Sequence, residues 1–197
     1  SPEYYKRFPG DRGRFAELAA LAKKGEITTP SGDVVCPSRL RSLGHVLGAS
    51  GGAEKLHYLL EYPHTSRAFR HDLAELLPYG GRNPLYAVIH ESSYADGVVT
   101  DWSAARMLPD DFREDPTLLT GEHIMPEWFD TDQELRPWKE VADLIANHPW
   151  PKLYDPDVLR TAEVPCAAAV YHDDAYVPRE FSVETAALLP QMHAWVT

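Results

Sequence analysis

The stretch from Ala162 to Pro178, AEVPCAAAVYHDDAYVP, limits most strongly what this chain folds into. A Val-Pro opens it, small apolar residues run from Cys166 to Val170, and the polar cluster Tyr171-His172-Asp173-Asp174 ends the run. A short continuous apolar run closed by a turn signal predicts a strand buried on both faces, the kind used in parallel sheets. Functional groups of open parallel sheets gather just past the C-terminal ends of such strands. Asp173 and Asp174 fall at that point. The bland reading is that both acids cap the helix starting near Pro178.

The rest of the chain reads differently. Its 17 prolines cut it into short segments and disfavour long helices. Phe15, Leu18, Ala19 and Ala22 recur at helical spacing, and Gly25 marks a stop. Pro30 to Asp33 predicts a tight turn between two short extended pieces, a small hairpin or a helix-linking loop. Ser38 is expected to cap a helix through Val46, and Ser50 one from Ala53 to Leu60. Further helices are predicted over 66–77 and over 85–94. The latter should carry Leu85, Val88 and Ile89 on its apolar face and His90 and Glu91 on its polar side. Asp101 is expected to cap a helix over 102–107, and 109–116 reads as an acidic loop. Short helices near Leu135, over 137–146 and over 156–160 lead into the 166–170 strand. A helix over 178–188 and a strand beginning near Ala194 close the chain.

The pattern is therefore mostly α: helices over 1–150, then a strand-helix-strand piece over 151–197. Two strands do not make a stable parallel sheet alone, which implies that more of a sheet belongs beside them.

Composition excludes several function classes. A net charge of −11 argues against a nucleic-acid partner, which needs a basic face. No apolar run approaches the ~20 residues that span a bilayer, so no membrane role is expected. The N-terminal residues do not read as a signal peptide. Cys166 sits in the expected buried strand, far in sequence from Cys36, so reduced thiols and a cytoplasmic setting are expected.

Two motifs invite chemistry and are set aside. Gly48-Ala49-Ser50-Gly51-Gly52 matches the G-x-S-x-G of a nucleophile elbow, which requires a strand feeding a strained turn. Leu40, Leu43 and Leu47 precede it at helical spacing instead. His57, His64 and His71 recur every seven residues, but Pro63 interrupts any shared helix, so no metal stripe is expected.

The Ala162–Pro178 stretch also resembles the segment of prolyl aminopeptidases, and of α/β-hydrolases generally, that presents the acid of the Ser-Asp-His triad. On that pattern the triad acid falls on Asp174, with Pro178 as the trailing proline and Asp173 as the rival. SPEYYKRFPGD, SGDVVCPSRLRSLGHVLGASGGAEKLHYLLE, NPLYAVIHESSYADG and LLTGEHIMPEWF extend the resemblance over essentially the whole chain.

The resemblance implies a helical lid (cap) over 1–150 followed by a C-terminal fragment of the hydrolase core over 151–197. It implies serine acyl transfer on peptides with an N-terminal proline. The serine and histidine would lie outside this chain, since neither Ser50 nor His193 falls at a catalytic position of the family, and the fragment alone would be inactive. The remainder of the hydrolase core is the implied partner, and no cofactor or metal is implied. Lid glutamates take the substrate amine in that family, through charge-assisted hydrogen bonds. Glu122 is the best match and Glu91 the second.

Two other readings stand beside this one. Another hydrolase of the same fold, such as an esterase or epoxide hydrolase, shares every feature, because fold does not fix substrate. A non-catalytic helical binding module is the third, and it predicts no large exposed apolar surface around Ala167 to Val170.

Overall fold

Two apolar cores organise the helical part of the molecule. The computed structural model describes residues 1–80 and 83–197. The first core gathers α1 (Pro2–Arg7), α2 (Asp11–Lys23), α3 (Pro37–Arg41), a 3-10 segment over Ser42–Gly48, α4 (Gly52–Glu61) and α5 (Arg67–Leu76). Phe15, Leu40, Leu43, Leu56, Phe69 and Leu73 are fully buried in it. The second gathers α6 (Pro84–His90), a 3-10 segment over Glu91–Tyr94, α7 (Ser103–Arg106), α9 (Trp128–Thr131), a 3-10 turn over Arg136–Trp138 and α10 (Lys139–Ala146) around Trp128, Phe129 and Leu135. Between α7 and α9 in sequence lies α8 (Asp110–Glu114).

Helix α3 ties the cores together. The Arg39 guanidinium lies 4.6 Å over the Trp128 ring. Ser38 Oγ accepts from Trp128 Nε1 at 2.9 Å and donates to Glu127 Oε1 at 2.5 Å. Ser38 therefore does not cap its own helix. Cys36 stands at that position, the α-helix stops at Arg41, and 3-10 geometry continues to Gly48.

Other local expectations are corrected for similar reasons. Helix α4 starts at Gly52 after Gly51 at φ +72°, with no cap from Ser50. The left-handed turn that glycine permits does the work of a cap. The 109–116 stretch contains α8 rather than only loop. Asp101 does not cap α7. Glu91, twelve residues earlier, accepts from the Ser103 backbone N–H at 2.6 Å. In α6, Leu85 and Ile89 are exposed while Ala87, Val88, His90 and Glu91 are buried. The helix turns its polar pair inward because Glu122 and Ser103 wait there as partners. The turn at 30–33 joins its flanks through a single antiparallel bridge, Thr28 with Val34.

The C-terminal part runs α11 (Pro156–Arg160), β1 (Cys166–Val170), α12 (Arg179–Leu188) and β2 (Met192–Val196). Asp155 caps α11 through the Asp157 and Val158 N–H groups, as an Asp-Pro helix start should. The strands pair in parallel, Cys166 with Met192 through Val170 with Val196. The expected burial of β1 on both faces is not met: only Val170 is buried. A two-stranded sheet with one helix has nothing to cover its remaining surface, and Phe181 and Trp195 each stay 63% exposed. This part meets the helical part at defined points. Asp96 Oδ1 accepts from Leu153 and Tyr154 N–H at 2.6 and 3.2 Å, and Tyr176 Oη donates to the His45 carbonyl at 3.0 Å. Among the described residues, no helix is long and apolar enough to cross a membrane.

Candidate functional site

Tyr86, His90 and Tyr94 are spaced by four and share one face of the continuous helical run from α6 into the 3-10 segment. That face meets Glu122. The Tyr86 phenol donates to Glu122 Oε1 at 2.9 Å. The Tyr94 phenol donates to the Glu122 carbonyl at 2.7 Å, and His90 Nε2 reaches the same oxygen at 3.0 Å. Glu122 is thus fixed at both its backbone and its carboxylate. Tyr79 stacks on Tyr86 with centroids 5.5 Å apart and lies 5.1 Å from His90. Its φ of +61° puts a bulky residue in the left-handed region, an arrangement that clusters at functional sites.

The electrostatics follow from crowding around one carboxylate. Burial first, then the charge of Glu122, raises the Tyr79 phenol far above its ordinary range. The same two causes push Tyr94 up to about 12. Tyr86 is raised chiefly by its hydrogen bond to Glu122. All three stay protonated donors at neutral pH. Surrounding protein and neighbouring His90 lower His123, whose Nδ1 lies 3.1 Å from Tyr94 Oη. The buried phenol oxygen of Tyr79 has no hydrogen-bond partner among the described residues, so the cluster keeps an unused polar group.

Glu91 is buried, and Oε1 accepts from Ser103 N–H at 2.6 Å and Ser103 Oγ at 3.1 Å. It anchors the start of α7. Ser103 in turn lines an apolar pocket of about 530 Å³ with Met107, Leu108, Phe112 and Met125, and Tyr94 and His123 share its wall.

Asp174 is half-buried at the turn after β1. Its Oδ1 accepts from Tyr176 and Val177 N–H at 2.8 and 3.1 Å. Asp173 is exposed and pairs with His172 Nδ1 at 2.9 Å. The turn does not stand apart from Glu122. Asp173 and Ala175 line a cleft of about 790 Å³ whose wall includes Thr120 and Gly121, directly before Glu122. A run of aromatic contacts joins them as well: Tyr176 to His45 at 5.3 Å, His45 to Tyr79 at 6.1 Å, Tyr79 to Tyr86 at 5.5 Å. The link between Glu122 and the Asp174 turn is this relay of rings, while Glu91 sits against Ser103. Among the described residues no group of three His, Cys, Asp or Glu side chains is placed to hold a metal ion.

A proline iminopeptidase from Aeromonas sobria is 35% identical over 98% of this chain. Proline iminopeptidase aneH of Aspergillus aculeatus is 27% identical over 93% of it. Its curated homologues are proline iminopeptidases. The chain spans about half the length of these relatives, 48% of the first and 44% of the second. No family model matches the chain.

The likeness to proline iminopeptidases covers the Tyr-His-Glu cluster and the Asp174 turn alike. Sequence reasoning missed Tyr79, Tyr86, Tyr94 and His45. The Tyr-His-Tyr spacing was the available signal, overlooked because Leu85 and Ile89 claimed the apolar face. Tyr79 and His45 carried no signal, since only tertiary packing brings them to Glu122.

Proposed function

We propose that this chain is the helical lid and the C-terminal core segment of an α/β-hydrolase acting as a serine-type prolyl aminopeptidase, with residues 1–150 as lid and 151–197 as core. The observation that carries this reading is the Glu122 carboxylate, held by Tyr86 directly after Thr120 and Gly121 in the chain, two residues that line a cleft together with Asp173 and Ala175. An N-terminal proline carries a cationic secondary amine next to an apolar ring. Glu122 takes the ammonium through a charge-assisted hydrogen bond. The neighbouring tyrosine rings pack the pyrrolidine and add cation–π attraction. Glu91 contributes negative potential from behind through its hold on Ser103.

Asp174 orients the catalytic histidine. One of its oxygens is occupied by two backbone amides, which fixes the carboxylate and leaves the other oxygen to accept the imidazole N–H. The remainder of the hydrolase core, with the serine and the histidine, packs on the uncovered faces of β1, β2 and α12, where Trp195 of β2 and Phe181 of α12 are exposed. That exposed apolar surface counts against a free-standing binding module. The substrate is a peptide with an N-terminal proline, no cofactor takes part, and the two unpaired cysteines suit a cytoplasmic setting.

The test is hydrolysis by the full-length gene product. Prolyl p-nitroanilide should be cleaved, with alanyl and glutamyl anilides at least ~10-fold slower, the scale of discrimination an apolar pocket gives. Cleavage of p-nitrophenyl esters with no prolyl amide turnover would overturn the substrate reading and leave an esterase.

A further inference from the structure

A smaller cavity, about 180 Å³, also borders Thr120, with Ser38, Arg41, Arg113 and Glu127 as its remaining polar walls. Arg41 is only 8% exposed. Its Nε donates to the Leu118 carbonyl at 2.6 Å, and its guanidinium lies 5.3 Å over the Phe112 ring. Its Nη2 is buried with no hydrogen-bond partner among the described residues. A buried guanidinium N–H left unpaired is costly, and such groups are almost always satisfied.

The acids nearby do not satisfy it. Glu127 Oε1 already accepts from Ser38. Asp115 and Asp111 offset part of the burial that lowers the Arg41 pKa but make no hydrogen bond to it. Arg113 donates through Nε to the Leu108 carbonyl and through Nη2 to the carbonyls of Ala105 and Arg106. The cavity walls thus carry two guanidiniums against one carboxylate.

We infer that this cavity binds a carboxylate, with the Arg41 guanidinium in its wall as the cationic donor. The volume exceeds that of several waters at ~30 Å³ each, so a carboxylate fits. The cavity shares Leu108, Thr120 and Met125 with the 530 Å³ apolar pocket. An amino acid residue with its carboxylate on Arg41 and its apolar side chain in that pocket matches both. Two sources carry this chemistry: the C-terminus of a short peptide substrate, or a free small acid. The peptide source rests on the aminopeptidase reading; the site itself does not.

Acetate is the probe, titrated against intrinsic tryptophan fluorescence and thermal unfolding at constant ionic strength, so that general screening is held fixed. Saturable binding is expected. Arg41→Gln should weaken it by at least ~10-fold, the scale of one charged hydrogen bond. That variant also loses the anchor to Leu118, so Glu127→Gln provides the second arm. Removing a repelling carboxylate while keeping an acceptor for Ser38 should tighten acetate several-fold. No saturation in the wild-type protein, or unchanged affinity in Glu127→Gln, overturns the site. The sources separate in the full-length protein on Pro-Leu and its C-terminal amide. A lower KM for the free acid assigns a peptide terminus; equal KM values with acetate bound assign a free acid. Absence of any prolyl hydrolysis would count against the aminopeptidase reading alone, since acetate binding does not depend on turnover.

Discussion

The Tyr86 phenol donates to Glu122 Oε1 at 2.9 Å while the Tyr94 phenol donates to the Glu122 carbonyl at 2.7 Å. One residue is therefore clamped at both ends by a single face of the α6 run. A carboxylate held this way is pre-oriented, so a cation approaching it meets a fixed acceptor rather than one that must first lose rotamer freedom. Tyr86→Phe removes only the side-chain clamp, and Tyr86 is partly exposed. Stability should change by less than ~1 kcal/mol, the net worth of an ordinary hydrogen bond. The KM for a prolyl substrate should rise ~3- to 10-fold with kcat nearly unchanged, because the lost interaction acts on binding. Steady-state kinetics of the full-length protein checks both numbers.

The two acids after β1 are separable. Asp174 Oδ1 is engaged by two backbone amides, whereas Asp173 makes only an exposed pair with His172. Asp174→Asn should lower kcat by ~10⁴, the effect of disturbing a triad acid. Asp173→Asn should leave activity within ~2-fold, since exposed ion pairs contribute little. The reverse pattern would assign the triad acid to Asp173.

Gly44 and Gly48, four apart, make opposite predictions. A Cβ on Gly44 would collide with the Thr120 backbone carbonyl. That segment has little freedom to move, because Thr120 N–H also donates to the Arg41 carbonyl at 3.0 Å. Gly44→Ala should cost ~1–3 kcal/mol by overpacking. A Cβ on Gly48 would meet the ring tip of Tyr176, which is partly exposed and free to swing. Gly48→Ala should cost less than ~1 kcal/mol of stability yet lower activity, because the Asp174 turn loses its purchase on His45. Chemical denaturation paired with turnover measures the contrast.

Glu91 acts on α7 from a distance. Glu91→Ala leaves the Ser103 N–H without its acceptor and should destabilise by ~1–3 kcal/mol. Glu91→Gln keeps a carbonyl acceptor and should recover most of that stability. Thermal unfolding of both variants at pH 7 tests this.

The lowered pKa of His123 has a pH consequence. A histidine whose folded-state pKa lies below its unfolded value binds fewer protons when folded. Its contribution to stability is then fully present above the unfolded pKa of ~6.5 and is lost as pH falls through that value toward the folded one. An NMR titration of the His123 ring should show a midpoint below ~6.5, and His123→Asn should flatten the stability profile in that window.

The local signals were read well where chain-local physics decides. Apolar runs and helical spacing located α2, α5, α11, α12 and both strands, because capping residues such as Ser66 and Asp155 and the stop at Gly25 act within one turn of the chain. The acidic turn after β1 was visible for the same reason. Glu122 stood out as an acid among aromatic neighbours. What surrounds it was not visible. Glu91 as a cap for α7, Ser38 as the link to Trp128, and Tyr79 and His45 as the bridge to Tyr176 all pair residues ten to more than a hundred positions apart. No period in the sequence encodes such pairings; they exist only once two cores have packed. The burial of β1 belongs to the same class: the amino acids specify a strand, but neighbouring layers specify whether its faces are covered.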